Sequence, residues 1–125
     1  MIERSRVLNN TFGIFANGLG STGTTIVQIR DSVAAGSLFD GISAFSQSGA
    51  SVVSVTVDRS SSLLNAEDGI LAQGSGTFIL VSESTVISNG TGLAATAGGN
   101  IFSYQNNHLT GNVTEGAPTA VLTMK

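Results

Sequence analysis

"EDGILAQGSG", residues 67–76, joins an acidic pair, a glycine, an apolar pair, a small residue and a glycine-rich run. Its core pattern, x-Gly-apolar-x-small, is not unique in the chain. It recurs as "FGIFA" (12–16), "DGISA" (40–44), "DGILA" (68–72) and "TGLAA" (91–95), with a weaker fifth copy, "EGAPT" (115–119). The glycines at 13, 41, 69, 92 and 116 are spaced by 28, 28, 23 and 24 residues. A fixed order of elements at such a period is the mark of a repeat architecture.

A second pattern precedes each glycine: an apolar residue, two polar residues, then Ser or Asn. Its copies are Ile2-Glu3-Arg4-Ser5, Ile29-Arg30-Asp31-Ser32, Val57-Asp58-Arg59-Ser60, Val81-Ser82-Glu83-Ser84 and Tyr104-Gln105-Asn106-Asn107. Alternating runs lead into the later copies: Val27-x-Ile29, Val55-x-Val57, Ile79-x-Val81 and Phe102-x-Tyr104. Alternation of period two is a strand signal. Each unit therefore reads strand, polar corner, variable stretch, Gly-apolar-x-small strand, loop. From the small residue to the next strand takes 13 positions in the first two units (16 to 29, 44 to 57) and 9 in the next two (72 to 81, 95 to 104). The extra residues fall in one loop, "NGLGSTGTT" (17–25) and "FSQSGASV" (45–52), the place where a solenoid tolerates insertion.

The expected fold is all-β: a parallel β-helix, or solenoid, of about five coils. It forms one domain over 1–125, with coils at approximately 1–25, 26–52, 53–76, 77–99 and 100–125. Stacking puts like positions about 4.8 Å apart in columns. The predicted interior columns are Ile14, Ile42, Ile70, Leu93; Val27, Val55, Ile79, Phe102; Ile29, Val57, Val81, Tyr104; and the small column Ala16, Ala44, Ala72, Ala95. Two charged columns alternate in sign from coil to coil: Glu3, Arg30, Asp58, then Arg4, Asp31, Arg59, Glu83. Opposite charges on adjacent strands attract, and a slipped coil would set like charges together. Ser5, Ser32, Ser60, Ser84 and Asn107 form a polar corner column able to bond freed backbone groups.

Composition agrees with this and excludes several functions. The chain has 125 residues, 16 glycines, no cysteine and a net charge of −3. Charged residues make up only 10%, against a usual quarter. No basic patch exists to neutralise phosphates, so no nucleic-acid partner is expected. No apolar run or basic amphipathic stretch points to a membrane. The opening "MIERSRVLNN" reads as structure, not as a signal peptide.

The run "DGILAQGSGTFILVSESTVISNGTGLAATAGGNIFSYQNNHLTGN" (68–112), with its fainter upstream echoes, resembles the right-handed parallel β-helix, pectate-lyase-like superfamily. Its strings resemble uncharacterised bacterial β-helix repeat proteins. The resemblance covers nearly the whole chain and implies the fold, an extracellular or cell-surface setting, and a link to polysaccharides. It does not fix an activity, because one scaffold hosts many. Family glycosidases carry several Asp with Gly-His-Gly and Arg-x-Lys, and family lyases carry Ca²⁺-binding Asp with a basic residue. Neither set of strings occurs here; Arg6 is the one arginine outside the charged columns, and Lys125 is the sole lysine.

The candidate site residues are Asp40, Glu67 and Asp68. Asp-Gly is a turn dipeptide, because Asp bonds nearby backbone and Gly accepts positive φ. The same residues also bring carboxylates one coil apart, which makes them candidates for catalysis. Asp40 and Asp68 are in addition the candidates for Ca²⁺, the only cofactor considered. His108 is expected to point outward, beside an inward Leu109. Three sequons begin at Asn9, Asn89 and Asn112. Most phenylalanines are expected inside; Phe15 and Leu71 are the outward apolar candidates. A last strand is predicted over 120–124, with Pro118 and Lys125 opposing further pairing. Open coil ends point either to a fragment of a longer solenoid or to self-association, as a dimer or by stacking. Three functions follow: a non-catalytic structural, adhesive or glycan-binding module; a lyase or hydrolase of acidic polysaccharide; or a self-assembling structural element.

Overall fold

A computed structural model describes residues 1–47 and 50–123. It is all-β, a parallel solenoid of about five coils, each built from three short strands. The first coil holds β1 (Ile2–Glu3), β2 (Arg6–Leu8) and β3 (Ile14–Asn17). The second holds β4 (Thr24–Arg30), β5 (Val33–Ala35) and β6 (Ile42–Phe45). The third holds β7 (Val52–Asp58), β8 (Ser61–Leu63) and β9 (Asp68–Gln73). The fourth holds β10 (Thr77–Ser82), β11 (Thr85–Ile87) and β12 (Thr91–Thr96). The fifth holds β13 (Asn100–Tyr104), β14 (His108–Thr110) and β15 (Thr114–Gly116), and β16 (Ala120–Leu122) begins another turn. Met124 and Lys125, the end of the predicted last strand, lie outside the described residues.

Every strand pairs in parallel with its counterpart in the next coil. Sheet one runs β1-β4-β7-β10-β13-β16, sheet two β2-β5-β8-β11-β14, and sheet three β3-β6-β9-β12-β15. The predicted columns Ile14–Ile42–Ile70–Leu93 and Ala16–Ala44–Ala72–Ala95 are in register. Two columns need correction in their last member. Ile79 pairs with Ile101, not Phe102, and Val81 pairs with Ser103, not Tyr104. The cause is one extra residue in the fifth coil's corner. Val81 to Ser84 takes three steps, whereas Ser103 to Asn107 takes four. Counting back from Asn107 therefore shifts the strand by one position and turns its faces over. The weak fifth repeat slips likewise: Gly116 pairs with Leu93, not with Gly92.

The interior is filled by Ile, Val, Leu and Ala, and no phenylalanine joins it. Phe15, Phe45, Phe78 and Phe102 alternate with core residues along their strands, and Phe12 and Phe39 are exposed at the surface. The expectation of internal phenylalanines is thus reversed. Leu71 does alternate outward as expected but is covered.

The corners are held by two hydrogen-bonded ladders. At the first, the backbone N–H groups of Ser5, Ser32 and Ser60 donate to the hydroxyl oxygen of the serine one coil on, at 3.1, 3.1 and 3.2 Å. Ser84 N–H ends the series on Asn107 Oδ1 at 2.8 Å. Each serine hydroxyl donates to the carbonyl two residues back. The second ladder is of buried asparagines. Ser37, Asn65 and Asn89 N–H donate to Oδ1 of Asn65, Asn89 and Asn112 at 3.0, 3.1 and 2.9 Å. Asn65 and Asn89 Nδ2 also donate to the next Oδ1, at 2.8 and 3.0 Å. Glu115 closes the column, its two carboxylate oxygens accepting from Asn112 N and Nδ2 at 3.2 and 2.9 Å.

That ladder explains the repeated glycine. The glycines at 13, 41, 69 and 92 do not have positive φ, and Asp68-Gly69 opens β9 instead of turning. A Cβ on Gly41 would collide with Ser62 Oγ and Asn65 Nδ2, and one on Gly92 would sit 2.8 Å from Asn112 Nδ2. The glycine is required for space against the asparagines. The turn-dipeptide reading fails on conformation, although Asp68 does lie at a corner.

Asn89→Ala is expected to lower stability by about 3 kcal/mol in urea unfolding, because it strips the acceptor from the buried Asn65 N–H and Nδ2. Exposed Asn10→Ala is the control, expected to cost less than about 0.5 kcal/mol. Equal losses would contradict a ladder-held corner.

Candidate functional site

Two outward surfaces carry the chemistry. On sheet three, β9 stacks Asp68 one coil beyond Asp40, whose Oδ1 accepts the Asp68 N–H at 3.3 Å. Asp40 is only 3% exposed, while Glu67 is fully at the surface. Burial pushes the Asp40 carboxyl up to about 6, with the fields of Asp68 and Glu67 acting the same way and the Asp68 N–H opposing. Burial also raises Asp68, against a bond from Thr91. The three predicted carboxylates are thus brought together, and beside them lies a cluster of phenylalanines. Phe12 stacks on Phe39 at 5.0 Å and on Phe15 at 5.5 Å, and Phe15 meets Phe45 edge-on at 4.9 Å. Among the described residues no group of three or more His, Asp or Glu is arranged to hold a metal ion.

The outer face of sheet one carries two clefts. One of about 730 Å³ is lined by Ser82, Glu83, Tyr104 and Asn106 together with Val121, Leu122 and Thr123, with Leu122 stacked beside Tyr104 in the same sheet. A smaller one, about 180 Å³, lies one to two coils below, between Gln28, Arg30, Thr56, Asp58 and Ser82. Ser82 belongs to both, so together they form a groove across successive coils. Register explains the composition. Arg30, Asp58 and Ser82 stack in one outward column, and Gln28, Thr56, Leu80 and Phe102 stack in the next. Phe78 and Phe102 lie stacked on the same face, centroids 6.3 Å apart.

The predicted charge ladder lies at this groove's edge. Arg59 bonds Asp31 at 3.0 Å and Asp58 at 2.8 Å, and Arg30 lies 3.8 Å from Asp58. The bond from Arg59 holds the exposed Asp31 carboxyl below its usual range. Asp58 also accepts the Ser82 hydroxyl at 2.8 Å. Arg4, Asp31, Arg59 and Glu83 all turn the corner with left-handed φ of 44–49°. That conformation costs a non-glycine residue about 1 kcal/mol. In the fifth coil the extra residue replaces this arrangement, and Asn106 Oδ1 takes the Glu83 N–H at 3.1 Å. The altered corner is one wall of the larger cleft.

Other expected positions resolve simply. His108 is exposed and Leu109 packs against the core, both as expected. The sequon residues Asn89 and Asn112 are buried with their amides committed to the ladder, so neither is open to glycosylation. Among the described residues no helix is long and apolar enough to cross a membrane. Comparison with known proteins adds no assignment: no family model, no curated protein and no solved structure matches the chain significantly.

The groove was not among the predicted sites. Its signal was the single-residue insertion before Asn107, hidden because every other corner has a constant length.

Asp40 generates a pH prediction. Its native value of about 6 lies above the ordinary 3.8, so between the two the folded chain binds a proton that the unfolded chain releases. Stability from this group is full below 3.8 and is lost as pH rises through 6. The protein is expected to be about 1 kcal/mol more stable at pH 5 than at pH 7.5, and Asp40→Asn to remove most of that difference. An unchanged pH profile in the variant would refute the assignment.

Proposed function

We propose that the chain is a non-catalytic β-solenoid module that holds a glycan along the outer groove of sheet one, in a structural or adhesive role. The observation that carries this reading is the larger cleft. It sets the Tyr104 ring beside Ser82, Asn106 and Thr123, a polarisable face next to short hydrogen-bonding side chains. Sugars are recognised by that pairing of an aromatic surface with convergent polar groups. Coils repeat along the groove, so a chain of sugar units would meet similar rungs in succession.

The chemistry of the lining supports binding without cleavage. Glycoside hydrolysis uses two carboxyl groups across the scissile bond. Glu83 is the one acidic residue lining the larger cleft, and Asp58 in the smaller one is engaged by Arg59 and Ser82. Asp40, Glu67 and Asp68 belong to the turn of sheet three. On this reading, kinship with pectate-lyase-like proteins of bacteria is one of scaffold, and the family's catalytic strings are missing from it.

Titration of the ¹⁵N-labelled protein with a panel of oligosaccharides tests the proposal. Shifts are expected at Ser82, Tyr104, Asn106 and Thr123, and Tyr104→Ala should weaken binding about tenfold with an unchanged unfolding midpoint. Shifts centred on Asp40 and Asp68, with shorter products accumulating, would favour the hydrolase or lyase instead.

A second reading, self-association, is favoured by one observation: Phe12, Phe15 and Phe39 form a stacked patch, each 38–41% exposed. Sedimentation at high micromolar concentration should then show a species larger than a monomer, and a Phe12→Ser/Phe15→Ser double variant should return it to monomer. A wild-type monomer under those conditions would rule the patch out as a contact.

A further inference from the structure

The cationic groups around the groove of sheet one are already matched by anions. Arg59 bonds both Asp31 and Asp58, and Arg30 lies against Asp58. The bond to Asp31 is the chief influence holding the Arg59 guanidinium charged. These four residues sum to zero charge, and none of the four offers an unmatched cation to a ligand.

Glu83 stacks one coil beyond Arg59, where its charge is felt, but it is not bonded into that network. Its backbone N–H is taken by Asn106, and its carboxylate makes no ion pair among the described residues. It is the one carboxylate lining the larger cleft among the described residues. The left-handed corner fixes the backbone from which this carboxylate projects. Asn106 turns its oxygen to the Glu83 N–H, which leaves its NH₂ group to donate toward the cleft. Beside them the Tyr104 ring adds an electron-rich face, which attracts a cation as well as a sugar's C–H surface. Among the described residues the cleft's lining therefore offers a carboxylate, an aromatic face and hydrogen-bonding groups, and no cationic side chain.

Resting on the glycan-binding reading, we propose that the ligand is an amino sugar polymer with free, protonated amines, held by Glu83 as counter-ion against Tyr104. A uronate polymer is disfavoured by the same charge, and the chain's net charge of −3 acts in the same sense at longer range. An exposed ion pair contributes modestly. The expected preference is therefore about three- to fivefold, and it should shrink with added salt.

Calorimetric titration of the intact chain tests this with four tetrasaccharide probes at mildly acidic pH: β-1,4-linked glucosamine, its N-acetylated form, cellotetraose and α-1,4-linked galacturonate. The glucosamine oligomer should bind about three- to fivefold more tightly than either neutral probe, and galacturonate should bind weakest. Glu83→Gln should erase the preference, bringing the glucosamine oligomer to the affinity of the N-acetylated probe. If neutral and amino probes bind equally, or Glu83→Gln leaves the preference intact, the amine assignment fails and glycan binding stands. If galacturonate binds most tightly, the charge argument is reversed. If none of the four binds, both the amine assignment and the glycan reading fall.

Discussion

A coil of this size bends its backbone sharply at each corner, and each bend frees an N–H that the strand ladder cannot satisfy. A buried N–H without an acceptor costs about 1–3 kcal/mol. The chain meets that demand with side chains supplied by the next coil: a serine at one corner, an asparagine at the other. Each coil thus depends on the one stacked beyond it. The Asn65–Asn89–Asn112 column has a further consequence, for it occupies space beneath the neighbouring strands. Glycine follows at 41, 69 and 92, because any side chain there would strike the amides.

The same constraint shapes the outer groove. Two residues separate the last core position from the corner serine in four coils, and the left-handed one of the two projects its charge outward. Those charges meet as Arg59 with Asp31 and Asp58. In the fifth coil asparagine replaces serine and the corner lengthens by one residue. Asn107 spans the larger gap, its Nδ2 reaching the Val81 carbonyl, the Tyr104 carbonyl and Ser103 Oγ at 2.9 Å each. The lengthened corner brings Tyr104 and Asn106 to a cleft wall, where regular spacing would have continued the ion-pair ladder. A local change in how one N–H is satisfied thereby accompanies the larger of the two clefts on this face.

The stacked order of the coils was legible because it is written in glycine and serine spacing. Ile14, Ile42, Ile70 and Leu93 align at the positions that spacing demands. Three features were not legible. The insertion between Ser103 and Asn107 is one residue long, and period-two alternation looks equally regular on either side of a slip. The phenylalanines carry the hydropathy of core residues, and strand register, not hydropathy, places Phe15, Phe45, Phe78 and Phe102 on the outward side. The asparagine ladder sits in the stretch between motifs, where Ser37, Asn65, Asn89 and Asn112 resemble ordinary loop residues until stacking places them over one another. The acidic trio was legible as a cluster, yet its concentration of charge lies apart from the groove, on the turn of sheet three.

The register of the fifth coil ties these points together, since the groove, the ladder end and the outward aromatics all depend on it. Methyl and aromatic nuclear Overhauser contacts measure that register directly. The account predicts strong contacts from Ile79 methyls to Ile101 and to Val55, with the Phe102 ring seen only by outward neighbours such as Leu80 and Phe78. Contacts from Phe102 to Ile79 and Val27 in the interior, with Ile101 facing solvent, would contradict it.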